Sequence, residues 1–276
     1  MISFPNCKIN LGLHIVSKRT DGYHNLETVF YPLPLTDILE ILPKDQFNEA
    51  ADNSINLKLS GLPVAGDQSD NLCVKAWKIL KKDHPALPPV NAFLYKNIPM
   101  GAGLGGGSSD GAFMLKMLND HFKLNVSAEK LAVYALSLGS DCPFFLENKP
   151  VFASGRGEIF EKTALDLSRN AFLIVNPGLH ISTARSFAGI RVSPAPVDLR
   201  QAIREPIATW KEIIKNDFEQ TAFEIYPQLE KIKEELYEAG ALYASMSGSG
   251  SCFYGIFENN EIPDISGAIK IPALSV

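Results

Sequence analysis

Apolar and polar positions alternate with period two near the start of the chain. Cys7, Ile9, Leu11, Leu13 and Ile15 share one face, and Lys8, Asn10, Gly12 and His14 share the other. That pattern predicts a strand with one apolar and one polar face. A polar turn, Lys18-Arg19-Thr20-Asp21-Gly22, leads to Tyr23-His24, and strand-like runs follow at 27–33, 37–42, 55–59 and 90–95. Helical spacing takes over at 71–82, where Leu72, Ala76, Ile79 and Leu80 recur after Asp70-Asn71, and again at 112–122. Ser127 reads as the N-cap of a helix reaching about Leu138. Residues 151–160 read as a hairpin around Gly155-Arg156-Gly157, and 171–175 as a short buried strand.

From about residue 198 the texture changes. The spacing predicts helices over 199–215, 216–225 and 227–239, with Pro227 as a helix start. Strands at 241–246 and 251–257 flank a Ser-Gly-Ser-Gly turn. This pattern predicts an α+β fold in two domains, 1–165 and 166–276.

Composition narrows the function classes. The 276 residues are 46% hydrophobic and 21% charged, as in ordinary globular chains, with a formal net charge of −5. That balance disfavours a dedicated nucleic-acid binder and leaves room for one local basic pocket. No basic, apolar leader opens the chain. The uncharged run 239–257 carries four glycines and four serines, which makes it a poor membrane span. The expectation is a cytoplasmic protein with a small-molecule substrate, no nucleic-acid partner and no membrane partner. Cys7, Cys73, Cys142 and Cys252 lack any C-x-x-C spacing and read as buried free thiols. His14, His84, His121 and His180 show no metal-ligand spacing, so no protein-borne metal site is expected.

Glycine changes the picture by its distribution. Six of the twenty glycines fall between Gly101 and Gly111, after a predicted strand and before a predicted helix. Glycines permit positive φ, and successive backbone N–H groups then curl into a nest for anions. The helix start, placed near Ser108, adds unpaired N–H groups and partial positive charge, so the loop suits a triphosphate. A Walker-type lysine is absent, because Asp110-Gly111 follows Ser109. The bland alternative is a glycine turn with Ser108 or Ser109 capping a helix.

Pro99-Met-Gly-Ala-Gly-Leu-Gly-Gly-Gly-Ser-Ser-Asp110 resembles the ATP-binding loop of the GHMP kinases. Ala244-Ser-Met-Ser-Gly-Ser-Gly-Ser251 is similar to the family's C-terminal glycine motif. Pro5-Asn-Cys-Lys-Ile-Asn-Leu11, Asp21-Gly-Tyr-His24 and Gly139-Ser-Asp-Cys-Pro-Phe-Phe145 resemble one branch, whose substrate is a cytidine diphosphate-linked methylerythritol of isoprenoid synthesis. The resemblance runs from residue 5 to about 257. Gly111 stands where the family more often has Ala, and Cys7 replaces a usual Ala. The family implies a ribosomal protein S5-like N-terminal domain and a ferredoxin-like C-terminal domain with the site in a cleft. It also implies ATP and Mg²⁺ as cofactors.

Roles follow from that likeness, each with a plainer reading beside it. Lys8 matches the branch's catalytic cation, against a lysine that simply faces solvent. Asp141 matches the carboxylate that receives or orients the substrate hydroxyl, against a helix N-cap before Pro143. Pro99, Met100, Gly101, Ala102, Gly103, Leu104, Gly105, Gly106, Gly107, Ser108 and Ser109 form the nucleotide loop. Asn71 and Lys96 resemble the adenine side, with Asn71 equally suited to a helix cap, and Ser247 and Gly248 belong to the second glycine turn. On the substrate side, Asn10 shares the face of Lys8. Tyr23 and His24 match cytosine contacts, Phe187 the opposite stacking ring and Thr183 a polar contact; a core Phe is the plainer reading of Phe187. Arg185 suits a diphosphate or the surface. A kinase for another small alcohol, such as homoserine or mevalonate, and a non-catalytic nucleotide-binding module remain as alternatives.

Overall fold

The computed structural model describes residues 1–43, 54–190, 192–258 and 262–273. Its first elements are β1 (Ile2–Ser3), β2 (Asn6–Lys18), β3 (His24–Thr36), β4 (Ile38–Pro43), β5 (Ile55–Gly61), α1 (Leu72–Asp83) and β6 (Val90–Lys96). Then come α2 (Gly106–His121), α3 (Ala128–Leu138), α4 (Phe144–Glu147), β7 (Val151–Ser154), β8 (Ile159–Lys162) and β9 (Asn170–Val175). The rest of the chain forms α5 (Thr183–Ala188), α6 (Leu199–Ala202), α7 (Trp210–Ile213), α8 (Phe218–Ile225), α9 (Gln228–Glu238), β10 (Tyr243–Met246), β11 (Phe253–Glu258) and β12 (Ala268–Ile271). The class is α+β, as the patterning predicts.

Contacts group the chain into two units. One holds Met1–Cys7, Pro34–Met100 and Gly105–Asn148; the other holds Lys8–Leu33, Gly101–Leu104 and Lys149–Val276. The grouping weaves through the sequence, so residues 8–33 and 101–104 keep company with the C-terminal half.

In the first unit the sheet order is β1-β4-β6-β5. β5 and β6 run parallel, from Ile55 opposite Val90 to Gly61 opposite Lys96, and α1 lies between them in sequence. A parallel pair cannot close through a tight turn, so the helix supplies the crossover. Leu39, Ile41, Leu57, Leu94, Trp77, Leu80, Met114 and Leu118 form a continuous buried core from strands and helices. Along β6 the alternation turns Val90, Ala92, Leu94 and Lys96 inward. A lysine in that series needs charge partners, and it has them.

The second unit contains the antiparallel sheet β10-β11-β9-β12, and the sheet β2-β3-β7-β8 lies largely within it. Leu229 and Leu236 of α9 and Phe218 and Ala222 of α8 join Leu173, Phe253 and Phe257 in its core. One expectation needs correction here, and one plainer reading falls away. The helix predicted over 199–215 is broken into α6, a 3-10 turn at Ile207–Thr209 and α7. Pro206 lacks an N–H and disfavours a helical residue before it, so the apolar period runs on while the helix does not. The polar face of β2 is not solvated either: Lys8, Asn10 and His14 are as buried as the apolar face.

Candidate active site

The glycine loop is best built from the helix that follows it. Gly105 has φ +72° and is the N-cap of α2, with no side chain capping that end. Ser108 and Ser109 therefore lie inside the first turn rather than before it, which removes the bland reading of serine caps. Ser109 N–H donates to the Gly105 carbonyl at 2.9 Å, and its buried Oγ has no hydrogen-bond partner. An uncapped helix start, with glycines before it, leaves amide donors and partial positive charge for an anion. A Cβ on Gly106 would sit 2.9 Å from Ile98 Cγ2, so the close packing there tolerates no side chain. Pro99 is buried and Met100 exposed just before the loop.

Asn71, the candidate adenine contact, caps α1, its Oδ1 accepting from Cys73 N–H at 2.9 Å. Lys96 is 1% exposed, and its ammonium donates to Asp37 Oδ2 and, at 2.6 Å, to Asp110 Oδ2. Asp141 is half-buried in the turn before α4, and the N-cap position there belongs to Pro143. Beside it the Cys142 thiol is pushed up to about 12 by burial, with the negative charge of Asp141 acting in the same sense.

In the second unit, sequence blocks far apart converge on one carbonyl. The β2 alternation sends Lys8 and Asn10 to the same side, and Lys8 Nζ donates to Asn10 Oδ1 at 2.6 Å and to Gly103 O at 3.1 Å. Ser247 Oγ donates to the same Gly103 carbonyl at 2.9 Å and accepts from Asn10 N–H at 3.3 Å. Two more backbone bonds fasten the loop: Lys8 N–H to Leu104 O at 2.9 Å and Cys252 N–H to Ala102 O at 3.1 Å. Gly103 has φ +83°, and a Cβ there would lie 1.8 Å from Ser247 O. Gly248 approaches from the other side, its own Cβ position 3.3 Å from Gly103 Cα. The Lys8 ammonium also lies 4.9 Å from the Phe30 ring centroid. Asn10 is further held by its Nδ2, which donates to Thr28 Oγ1 at 3.0 Å, and by its backbone carbonyl, which accepts from Tyr254 OH at 2.7 Å.

The aromatic candidates also meet. His24 and Phe187 stack with centroids 4.9 Å apart and an interplanar angle of 16°. Tyr23 is exposed and carries the Arg156 guanidinium 5.0 Å over its ring. Thr183 Oγ1 lies 3.4 Å from Ser249 Oγ, beside the second glycine turn. Arg185 is exposed and donates to Tyr226 OH at 3.4 Å.

Several supporting residues escaped the sequence reading. Asn216 Nδ2 donates to both Met246 O and Gly248 O at 2.8 Å, and Glu219 Oε1 accepts from Met246 N–H at 2.8 Å, so both brace the second glycine turn. His180 reaches Gly101, where a Cβ would stand 3.1 Å from its Nδ1. Asp37 and Asp110 hold Lys96. Only Asp110 carried a signal, since it closes the glycine motif; the other partners are remote in sequence. Among the described residues, no group of three or more His, Cys, Asp or Glu is placed to hold a metal ion. All four cysteines are free and buried, as expected, and no helix among the described residues is long and apolar enough to cross a membrane.

Comparison with known proteins agrees with these blocks. Residues 71–149 match the GHMP kinases N terminal domain and residues 199–270 the GHMP kinases C terminal domain. Over 258 residues the chain is 52% identical to the 4-diphosphocytidyl-2-C-methyl-D-erythritol kinase of Bacteroides thetaiotaomicron, covering 94% of this chain and 92% of that protein. The enzyme of the same name from Cytophaga hutchinsonii is 44% identical over 260 residues, covering 93% and 92%. A crystal structure of 4-(cytidine 5'-diphospho)-2C-methyl-D-erythritol kinase superposes with a TM-score of 0.77 at 30% identity, over 93% of this chain and 90% of that one. Methanococcus jannaschii mevalonate kinase, 14% identical with a TM-score of 0.66 over 94% and 90%, shares the fold.

Proposed function

This chain belongs to the GHMP kinase family, and we propose that within it the chain phosphorylates the 2-hydroxyl of 4-diphosphocytidyl-2-C-methyl-D-erythritol with ATP. The observation that carries the reading is the meeting of Lys8, Asn10, Gly103 and Ser247 at one carbonyl. Two glycine blocks that resemble motifs of the whole family and one block that resembles this branch are thereby joined by hydrogen bonds. The relatives bearing that name cover more than nine-tenths of the chain.

In this reading the amides of residues 101–107 and the uncapped start of α2 bind the triphosphate, with Pro99, Met100, Ser108 and Ser109 framing it. Mg²⁺ enters with the nucleotide and neutralises phosphate charge, which suits an ion that keeps water and phosphate oxygens as ligands. Asn71 and Lys96 stand on the adenine side, and Gly248 closes the loop from the second turn. The 2-hydroxyl oxygen attacks the γ-phosphorus as the bond to the bridging oxygen of ADP breaks. Asp141 accepts the hydroxyl hydrogen bond and then its proton. Lys8 offers positive charge to the transferring phosphoryl group. On the substrate side Asn10 orients the acceptor, and Tyr23, His24, Thr183 and Phe187 form the cytosine end. Since His24 and Phe187 already stack, a base enters by parting them or by covering the outer face of the pair.

Mass spectrometry of the purified chain with ATP, Mg²⁺ and the proposed acceptor tests the reading. The expected product is the acceptor plus one phosphoryl group, and Asp141→Asn keeps ATP binding while removing most of that product. Phosphorylation of homoserine or mevalonate instead, without competition by cytidine nucleotides, assigns the chain to a sibling activity. ATP binding with no turnover on any alcohol leaves a binding module.

A further inference from the structure

The nucleotide loop sits between two anchors that share one buried ion cluster. Before the loop, Asp37 Oδ1 accepts from the backbone N–H groups of Asn97 at 2.6 Å and Ile98 at 2.8 Å. After it, Asp110 lies in the first turns of α2. Lys96 Nζ joins them, donating to Asp37 Oδ2 and Asp110 Oδ2. Residues 99–109 are thus fastened at both ends by a single lysine and two carboxylates, all three no more than 4% exposed.

Such a cluster is a poor investment in stability alone. Removing two carboxylates and an ammonium from water costs several kcal/mol per ion, and an apolar trio of similar volume serves a core at least as well. What the ions supply is geometry. The Asp37 carboxylate fixes two consecutive amides, and the ammonium sets the distance from them to α2. We propose that Asp37, Lys96 and Asp110 are positioning residues that hold the two ends of the nucleotide loop in register for ATP. This rests on the nucleotide reading of the loop, not on the identity of the alcohol.

The charge state adds a second signature. Burial pushes the Asp110 carboxyl up to about 8, Lys96 opposing that rise and Asp37 reinforcing it. The two carboxylates hold the Lys96 ammonium charged above its ordinary range although burial works against it. A further titratable group coupled to the cluster is the Cys73 thiol on α1, which burial raises well above its ordinary value and keeps neutral. Near neutrality Asp110 is therefore mostly protonated beside the charged Lys96 ammonium. Raising the pH through about 8 ionises Asp110 and adds negative charge beneath the helix start offered to phosphate.

Calorimetric titration of the full chain with ATP and Mg²⁺, without any alcohol, provides the test. Asp110→Ala is expected to weaken ATP binding about tenfold, the scale of one lost charge-assisted contact. The KM for the alcohol stays within about twofold, as a loss confined to nucleotide positioning requires. Asp110→Asn, which keeps an acceptor for Lys96 Nζ, restores most of the affinity. Between pH 7 and 9 the native chain loses affinity and Asp110→Asn stays level. Lys96→Met repeats the weakening where it folds, and the Asp110 pair decides where it does not. Asp110→Ala binding ATP as tightly as the native chain, with only a lower melting temperature, overturns the proposal. So does an Asp110→Asn chain with the same alkaline loss. Since no alcohol is present, a wrong acceptor assignment leaves this result intact, whereas failure of the native chain to bind ATP defeats both readings.

Discussion

Gly103→Ala is the sharpest perturbation of the site, because its cost can be worked from two separate terms. The first is conformational: φ +83° costs a residue with a Cβ about 1–2 kcal/mol. The second is steric. The new Cβ would lie 1.8 Å from Ser247 O, a backbone atom that no rotamer change can clear. The loop must retreat by about 1.6 Å to reach ordinary contact. That shift breaks the hydrogen bonds from Lys8 Nζ and Ser247 Oγ to Gly103 O, worth about 1.5–3 kcal/mol for the charged donor and about 1 kcal/mol for the neutral one. The expected total is about 3.5–6 kcal/mol against the native loop geometry. A misplacement above 1 Å at a phosphate cradle then lowers kcat/KM by about 100-fold or more. Gly178→Ala is the control, since its φ is +70° and nothing lies within 4 Å of the added Cβ. It bears the conformational term alone. Denaturant unfolding of both variants, with ATP titration and steady-state rates, separates the terms. Equal stabilities for the two variants, with ATP affinity within about twofold of the native chain, would refute the reasoning.

Ser247→Ala deletes the donor to Gly103 O and the acceptor for Asn10 N–H. It is expected to cost about 1–3 kcal/mol in unfolding free energy and to lower kcat/KM, with Ser247→Thr recovering part of both in the same assays. Asn71→Ala loses the cap of α1; it lowers stability by about 1 kcal/mol, and Asn71→Ser restores it in thermal melts.

Elements whose periodicity agrees with their burial were legible in the sequence. β6, α1 and α9 appear within a residue or two of expectation and β2 runs three residues past its alternation, because one apolar face suffices to define each. The misses share a cause: local pattern and tertiary need diverge. Apolar spacing continues across Pro206 while the backbone cannot, so one expected helix becomes α6, a 3-10 turn and α7. The six-residue α5 has too few positions to show a period and leans on the Ser182 cap at its start. β12 comes from a tail with weak alternation and takes its place from pairing with β9, from Ala268 opposite Val175 to Ile271 opposite Phe172.

The site divides the same way, between groups that act on a ligand and groups that hold them. Glycines at positive φ advertise themselves, because no other residue type is cheap there, so the 101–107 loop and the Ser247-Gly248 turn stand out in the bare sequence. Lys8 and Asn10 announce a polar face but not its burial. What covers it is the Gly103 carbonyl, 95 residues away, and Ser247, 237 residues away from Asn10. Asp37 gives no local sign at all, being one acid at the start of a strand; its meaning depends on Lys96, 59 residues on. Strand alternation does turn Lys96 inward with Val90, Ala92 and Leu94, and a buried lysine demands carboxylates. Asp110, following Ser108-Ser109, is the acid within the glycine-loop motif. The inward charge on Lys96 is therefore the sequence feature that leads to the cluster. A ligand-binding loop advertises its chemistry in its own residues, whereas its rigidity is written in residues whose only clue is an ion in the wrong place.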